Sequence, residues 1–222
     1  MSVPSDTLLE ELADADKALQ SSAPGEVIAW ALERFGGNVA MACSFEDLAL
    51  VDLALTQQAG IEVIFLDTGA HFQETIDFAH RFSEQRHVNL TTTTPGPEAD
   101  AWPCGTERCC ELRKVAPLAR ALEGRDAWLT ALKRVDGPSR AEIPLVGWDE
   151  RFGLVKCNPL ATWTDDDVEF YVREHGLEEH PLWAMGYASI GCAPVTRPVA
   201  PGESRRSGRW SDSDKEECGL HG

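Results

Sequence analysis

The sequence predicts an α/β protein in which a parallel, twisted sheet is flanked by helices and followed by an extended C-terminal arm with a mobile tail. Three observations predict it. Short β-rich runs alternate with helical periodicity from about residue 38 to residue 175, the pattern of βαβ units. From about Pro181 onward Gly, Pro, Ser and Arg dominate and periodicity disappears. The chain of 222 residues, 43% hydrophobic and 26% charged, is long enough to bury a core. The expected organisation is N-terminal helices over 1–37, the α/β region over 38–180 and the arm over 181–222, all within one structural domain.

Ser5 caps a first helix whose Leu8, Leu9 and Leu12 share a face and which runs to about Gln20. A second covers roughly 26–35 and stops at Gly36 and Gly37. Residues 38–43 read as a short buried strand, 44–47 as its exit loop, and the following stretch to about Gln57 as helix. The run 62–66 is a strand, broken by Asp67, Thr68 and Gly69; a helix over about 74–85 and a β-rich stretch over 88–93 follow. A helix from about 107 to 122 is kinked or restarted near Pro117, whose ring is excluded from a helix interior. Strands near 128–133 and 154–157 precede a helix capped by Thr164, with Asp165, Asp166 and Asp167 in its first turn. Right-handed crossovers then bring the loops after the strands to one edge, where open α/β sheets bind ligands.

A net charge of −17 argues against nucleic acid as a partner, because phosphate binding needs a basic footprint. An anionic substrate would need locally gathered cations. Candidates are Arg113 with Lys114, then Lys133, Arg134 and Arg140, then Arg205, Arg206 and Arg209. No apolar run approaches the roughly 20 residues of a membrane span, and the acidic, amphipathic first 20 residues do not resemble a secretory signal, so a cytoplasmic chain without a membrane partner is expected. Seven cysteines in a reducing compartment favour metal binding or thiol chemistry over disulfides. Cys43 and Cys157 lie in apolar or strand-like stretches and read as small buried hydrophobes.

Two loops and two sets of cysteines carry the chemistry. Ser44 to Asp47 offers a hydroxyl and backbone amides at a helix start, where a phosphate is stabilised, although the Gly-Lys of a Walker loop is missing. Leu66, Asp67, Thr68 and Gly69, with His71, gather polar groups at a strand end. Adjacent Cys109 and Cys110 point about 100° apart on a helix and so reach a common centre only with strain or across a large cluster. With Cys192 from the arm, they suit an iron–sulfur cluster or zinc, but the obvious donors stop at three. Cys218 sits in a polar, Gly-containing tail that does not bury it. It is a nucleophile candidate if nearby cations favour its thiolate, with Glu216 and Glu217 opposing until the tail docks.

These residues resemble the adenylyl-sulfate and phosphoadenylyl-sulfate reductases of assimilatory sulfate reduction. The matching segments are LDTGAHFQET at 66–75, CCELRKVAPLARAL at 109–122, VKCNPLATWTDDDV at 155–168, GYASIGCAP at 186–194, RPVAPGE at 197–203, SGRW at 207–210 and ECGLH at 217–221. The resemblance implies a fold like the adenine-nucleotide α-hydrolases, a nucleotide-binding reductase region over 38–180 and a modified pyrophosphate loop at 44–47. It implies attack by the Cys218 thiolate on the sulfur of the sulfonucleotide, an enzyme S-sulfocysteine, and release of sulfite by thioredoxin or a similar dithiol protein. Ser44 and the turn of Leu66, Asp67, Thr68 and Gly69 would hold the adenosine, while Lys114, Arg140, Arg206 and Arg209 would neutralise sulfate and phosphate. The tandem cysteine marks the branch that carries a 4Fe–4S cluster and uses adenylyl sulfate, so Cys109, Cys110 and Cys192 are expected as ligands.

Two departures stand out. Where the cluster branch has Cys-Ala-Pro-Cys, this chain has Cys192-Ala193-Pro194-Val195, and valine has no donor atom. The family's Gly-Leu-Arg-Arg appears as Ala131-Leu132-Lys133-Arg134, which keeps the charge but loses the bidentate fork. Three outcomes are open for the cluster: a substitute ligand such as Cys104 or Cys157, a labile three-ligand cluster, or none. The competing readings of function are a reductase of the 3′-phosphorylated nucleotide and a nucleotide-binding or redox-sensing relative that has lost catalysis.

Overall fold

A computed structural model of the chain describes residues 3–211, 215 and 217–221. Six strands form one sheet in the order β3-β2-β1-β4-β6-β5: β1 Val39–Cys43, β2 Glu62–Leu66, β3 Asn89–Thr93, β4 Ala127–Leu129, β5 Val146–Asp149 and β6 Leu154–Cys157. Strand β4 runs parallel to β1, with Ala40 opposite Trp128, and parallel to β6, with Trp128 opposite Lys156. Strand order reverses at β1, the position at which open sheets bind ligands beyond the strand's carboxyl end, and that end opens into Ser44. Chain contacts divide the molecule into two compact units, the first holding 1–43, 48–63 and 122–177, the second 44–47, 64–121 and 178–222.

In the first unit, α1 (Asp6–Leu19) starts where Ser5 Oγ accepts from Leu8 N at 3.2 Å, and α2 (Pro24–Phe35) starts with Pro24 and with Glu26 accepting from Ala23 N at 2.7 Å. Val27, Ile28 and Ala31 recur at helical spacing and are fully buried. Helix α3 (Ala49–Gln57) buries Asp52, whose carboxylate accepts from Tyr171 Oη at 2.9 Å on α7 (Asp165–Glu174). Thr164 and Asp167 form the reciprocal cap expected for α7.

Two elements of this unit differ from expectation. Strand β4 stops at Leu129 rather than running to 133, because the Thr130 hydroxyl turns to Asn158 and accepts from Leu132 N. Strand β5 has no counterpart in the sequence reading: it adds an antiparallel edge beside the parallel pairings of β1, β4 and β6, with Val146 opposite Cys157, while Asp16 of α1 accepts from Leu145 N at 2.6 Å. A four-residue strand containing Gly147 is too short to register as a period.

The second unit holds α4 (Gln73–Arg86), with Phe78, Ala79 and Phe82 buried. The expected helix over 107–122 is three pieces: α5 (Glu107–Cys110), a wide π-type turn (Glu111–Val115) and α6 (Ala116–Ala121). Pro117 has no N–H and its ring would strike the carbonyl four residues back, so the chain widens before it. The arm is irregular but bonded: Arg197 N donates to Gly208 O and Trp210 N to Val195 O, both at 2.9 Å, with Thr196 bridged antiparallel to Arg209. Part of the expected mobile tail, residues 212–214, 216 and 222, lies outside the described residues. Among the described residues no helix is long and apolar enough to cross a membrane.

Candidate active site and thiol cluster

Both loops singled out in the sequence belong to the second unit. After β1, Ser44 Oγ accepts from Glu46 N at 3.4 Å, and Phe45 takes a left-handed φ of 55°. That conformation is costly for a residue with a side chain. Complete burial of its ring, edge-on to Phe65 at 5.6 Å and near Phe82 at 6.3 Å, offsets it. After β2, Asp67 Oδ1 accepts from Gly69 N at 2.9 Å and the buried Thr68 hydroxyl accepts from Ala70 N at 3.3 Å. Gly69 has φ 64°, and a Cβ there would come 3.2 Å from Arg113 Nη1. Arg113 spans two elements, donating from Nη1 to Thr68 O at 2.6 Å and from Nη2 to Asp100 at 2.8 Å. His71 donates from Nε2 to Leu66 O at 2.9 Å. Burial outweighs that bond and holds its pKa below the ordinary value.

Four thiols meet beside this loop. A small cavity of about 10 Å³ is lined by Cys104, Cys109, Cys110 and Cys192, together with Val195, Arg113, Lys114, Arg209 and Trp210. Thr106 Oγ1 caps α5 by accepting from Cys109 N at 3.2 Å, which aims the tandem cysteines from the first turn of a helix. Cys192 Sγ lies 3.5 Å from Thr68 Oγ1 and in hydrogen-bonding contact with Cys104. That contact lowers the pKa of Cys192, helped by Lys114, and raises that of Cys104, so the two thiols titrate as a pair. Burial pushes Cys110 up, although Lys215 Nζ, 3.1 Å from its sulfur, works against this.

Such a donor set fits an iron–sulfur cluster: several cysteine thiolates, each able to take its own iron, beside the cations Arg113 and Lys114 that would balance the negative charge. Among the described residues no group of three or more His, Cys, Asp or Glu is arranged to hold a metal ion.

Cys218 is half-buried, not exposed as its composition suggested. The tail is drawn in by Lys215, which also donates to Gly105 O at 2.8 Å, and by Glu217, 3.7 Å from Arg206. Lys114 is buried; desolvation pulls its pKa down, but the negative charge of Cys218, then of Cys192 and Cys110, outweighs this and holds it above its ordinary value. Arg209 donates from Nη1 to Ser189 Oγ at 3.2 Å and to Ile190 O at 3.0 Å, and lies over Trp210. Its guanidinium fills the space beside Gly191, where a Cβ would sit 2.2 Å from Nη2.

Ser44, Leu66, Asp67, Thr68, Gly69, Lys114, Arg206, Arg209, Cys109, Cys110, Cys192 and Cys218 therefore fall in the second unit. Arg140 belongs to the first, where it is buried and donates to Asp136 at 2.7 Å; Lys133 bridges Asp136 and Asp165. Cys157 is wholly buried in β6 of the first unit, and burial raises its thiol to about 12. Sequence reasoning missed Lys215, Thr106 and the spanning role of Arg113. Thr106 was findable as a hydroxyl residue three positions before Cys109, but nothing local marks Lys215.

The chain matches the phosphoadenosine phosphosulfate reductase domain over residues 38–198. It is 44% identical to a protein named adenosine 5′-phosphosulfate reductase of Mycolicibacterium smegmatis, with 96% of this chain and 94% of that protein covered. A protein of the same name from Streptomyces coelicolor is also 44% identical, with 96% and 95% covered. Among solved structures, the phosphoadenylyl-sulfate reductase of Candida auris in its phosphate complex superposes with a TM-score of 0.72 at 26% identity, covering 87% of this chain and 98% of that one. FMN adenylyltransferase of Candida glabrata, at 12% identity and TM-score 0.61, shares the fold alone. By these matches the chain belongs to the phosphoadenosine phosphosulfate reductase domain family.

Proposed function

We propose that this chain reduces adenylyl sulfate to sulfite and AMP in the cytoplasm, with Cys218 as nucleophile and thioredoxin or a similar dithiol protein as reductant. One observation carries the reading: Cys218 is half-buried in the same compact unit as the cations Lys114, Arg206 and Arg209 and the thiol-lined cavity that Lys114 borders. The named activity of relatives that match almost end to end supports adenylyl sulfate as substrate.

The step follows from these charges. Cys218 Sγ attacks the sulfonate sulfur, an S–S bond forms, and the S–O bond to the nucleotide phosphate breaks, with AMP leaving as the oxyanion. Lys114, Arg206 and Arg209 offset the charge on sulfonate and leaving phosphate. A reductant thiolate then attacks Cys218 Sγ and expels sulfite. Its second thiol resolves the mixed disulfide, so the dithiol supplies both electrons. Ser44 and the Asp67–Thr68–Gly69 turn would hold the adenosine. Cys109, Cys110 and Cys192 would hold a 4Fe–4S cluster, which when bound supplies fixed charge and a rigid cross-link between α5 and the arm.

The test compares sulfite release from adenylyl sulfate and from its 3′-phosphorylated form, with thioredoxin supplied, alongside intact-mass detection of a sulfonate on Cys218. Release should be faster from adenylyl sulfate, and Cys218→Ser should lose both adduct and turnover, a fall on the order of 1,000-fold or more. Preference for the 3′-phosphorylated nucleotide would favour the activity named for the Candida auris protein. A wild-type chain that forms no adduct refutes the nucleophile.

A further inference from the structure

We infer that Cys104 is the fourth thiolate ligand of the cluster proposed above, in the role for which Val195 has no donor; the inference rests on that proposal. Ligand sets for such clusters ordinarily contain four cysteines, and the tandem pair with Cys192 supplies three. Cys104 lines the same cavity as those three and makes side-chain contact with both Cys192 and Cys109. Of the three remaining cysteines, Cys157 is sealed in β6 of the first unit, Cys43 ends β1, and Cys218, the proposed nucleophile, is not among the residues lining the cavity.

The local backbone explains why a residue so far in sequence from 195 reaches its neighbourhood. Gly105 has φ 94°, a left-handed turn that a residue with a side chain rarely adopts. A Cβ on Gly105 would lie 2.9 Å from Val195 Cγ1, so the turn that presents Cys104 is laid directly against the residue standing at the family's usual ligand position. The turn is also fixed to the tandem cysteines. Thr106 Oγ1 donates to Pro103 O at 2.9 Å and accepts from Cys109 N at 3.2 Å, coupling the Cys104 turn to the start of α5. Lys215 Nζ donates to Gly105 O at 2.8 Å and approaches Cys110 Sγ at 3.1 Å, so one ammonium group ties the Cys104 turn to the Cys110 thiol. Donors presented by pre-shaped backbone need little reorganisation to take a metal.

The experiment measures iron and sulfide per chain and low-temperature EPR on full-length protein purified anaerobically, as wild type, Cys104→Ala and the double variant Cys104→Ala/Val195→Cys. Wild type should carry about four iron and four sulfide, Cys104→Ala about three iron or fewer with the signal of a three-iron cluster, and the double variant should regain the wild-type content. Recovery by a cysteine at 195 is the discriminating readout, since it restores a ligand without restoring residue 104. Cys104→Ala with full iron content would overturn the assignment while leaving the cluster intact. Wild type without iron would overturn the cluster itself and this assignment with it. Loss of iron with loss of the far-UV circular dichroism, and no recovery in the double variant, would mean that Cys104 is structural and would likewise overturn it.

Discussion

At the scale of the residue, His180 shows how one buried group ties stability to pH. Its Nδ1 accepts from Leu182 N at 3.2 Å, so the neutral ring keeps its proton on Nε2 and donates it to Thr75 Oγ1 at 3.0 Å. Burial is the main reason its pKa falls from 6.5 to about 4; Arg81 and His71 lower it further, while Glu46 and Glu74 oppose. The unfolded chain therefore binds a proton near pH 6.5 that the folded chain refuses until about pH 4. The stabilisation is complete above 6.5 and is lost as pH falls through that window, up to about 3 kcal/mol. Urea midpoints at pH 7 and pH 4.5 should differ correspondingly more in wild type than in His180→Asn. An equal drop in both would remove His180 from the account. Neither the ring's tautomer nor its burial is written in the local sequence, because Thr75 lies 105 positions away.

At the scale of the element, the cysteine-bearing helix depends on its cap. Thr106→Ala removes the acceptor from Cys109 N and should cost about 1 kcal/mol, lowering Tm by about 2–4 °C for a chain of this length, while Thr106→Ser should retain most of it. A Thr106→Ala melt superposing on wild type would show that the cap carries no stability. The elements that could be read in advance are those with complete local signals: the apolar runs of β1, β2 and β6, and the reciprocal cap of Thr164 and Asp167. The π-type turn at 111–115 was only half legible. Pro117 announces a break, but whether the helix kinks or widens depends on packing against distant chain. Cys104 was readable as a candidate ligand but not as a member of the set, since its convergence with Cys192 joins positions 88 apart in sequence.

At the scale of the whole molecule, a chain of net charge −17 gathers Lys114, Arg206 and Arg209 in its second unit, so in the proposed reaction substrate charge would be met by local cations rather than by the global field. The family pattern could be read from short motifs, whereas the docked state of the tail could not, because its holding contacts come from Gly105, Cys110 and Arg206. Among the described residues the arm's last backbone hydrogen bond before Cys218, the proposed nucleophile, is that of the buried Trp210 to Val195 O, eight positions earlier. Eight residues span at most about 28 Å when fully extended, which bounds how far the proposed nucleophile lies from that anchor. The local concentration of a tethered group falls roughly as the −3/2 power of tether length, so an eight-residue Gly-Ser insertion after Ser211 should slow adduct formation by only about threefold. A hundredfold loss in single-turnover sulfonation would mean that the tail must dock in one fixed register. In the proposed reaction a single residue, Cys218, has to meet in turn the nucleotide and an external dithiol, eight positions of chain beyond the Trp210 anchor.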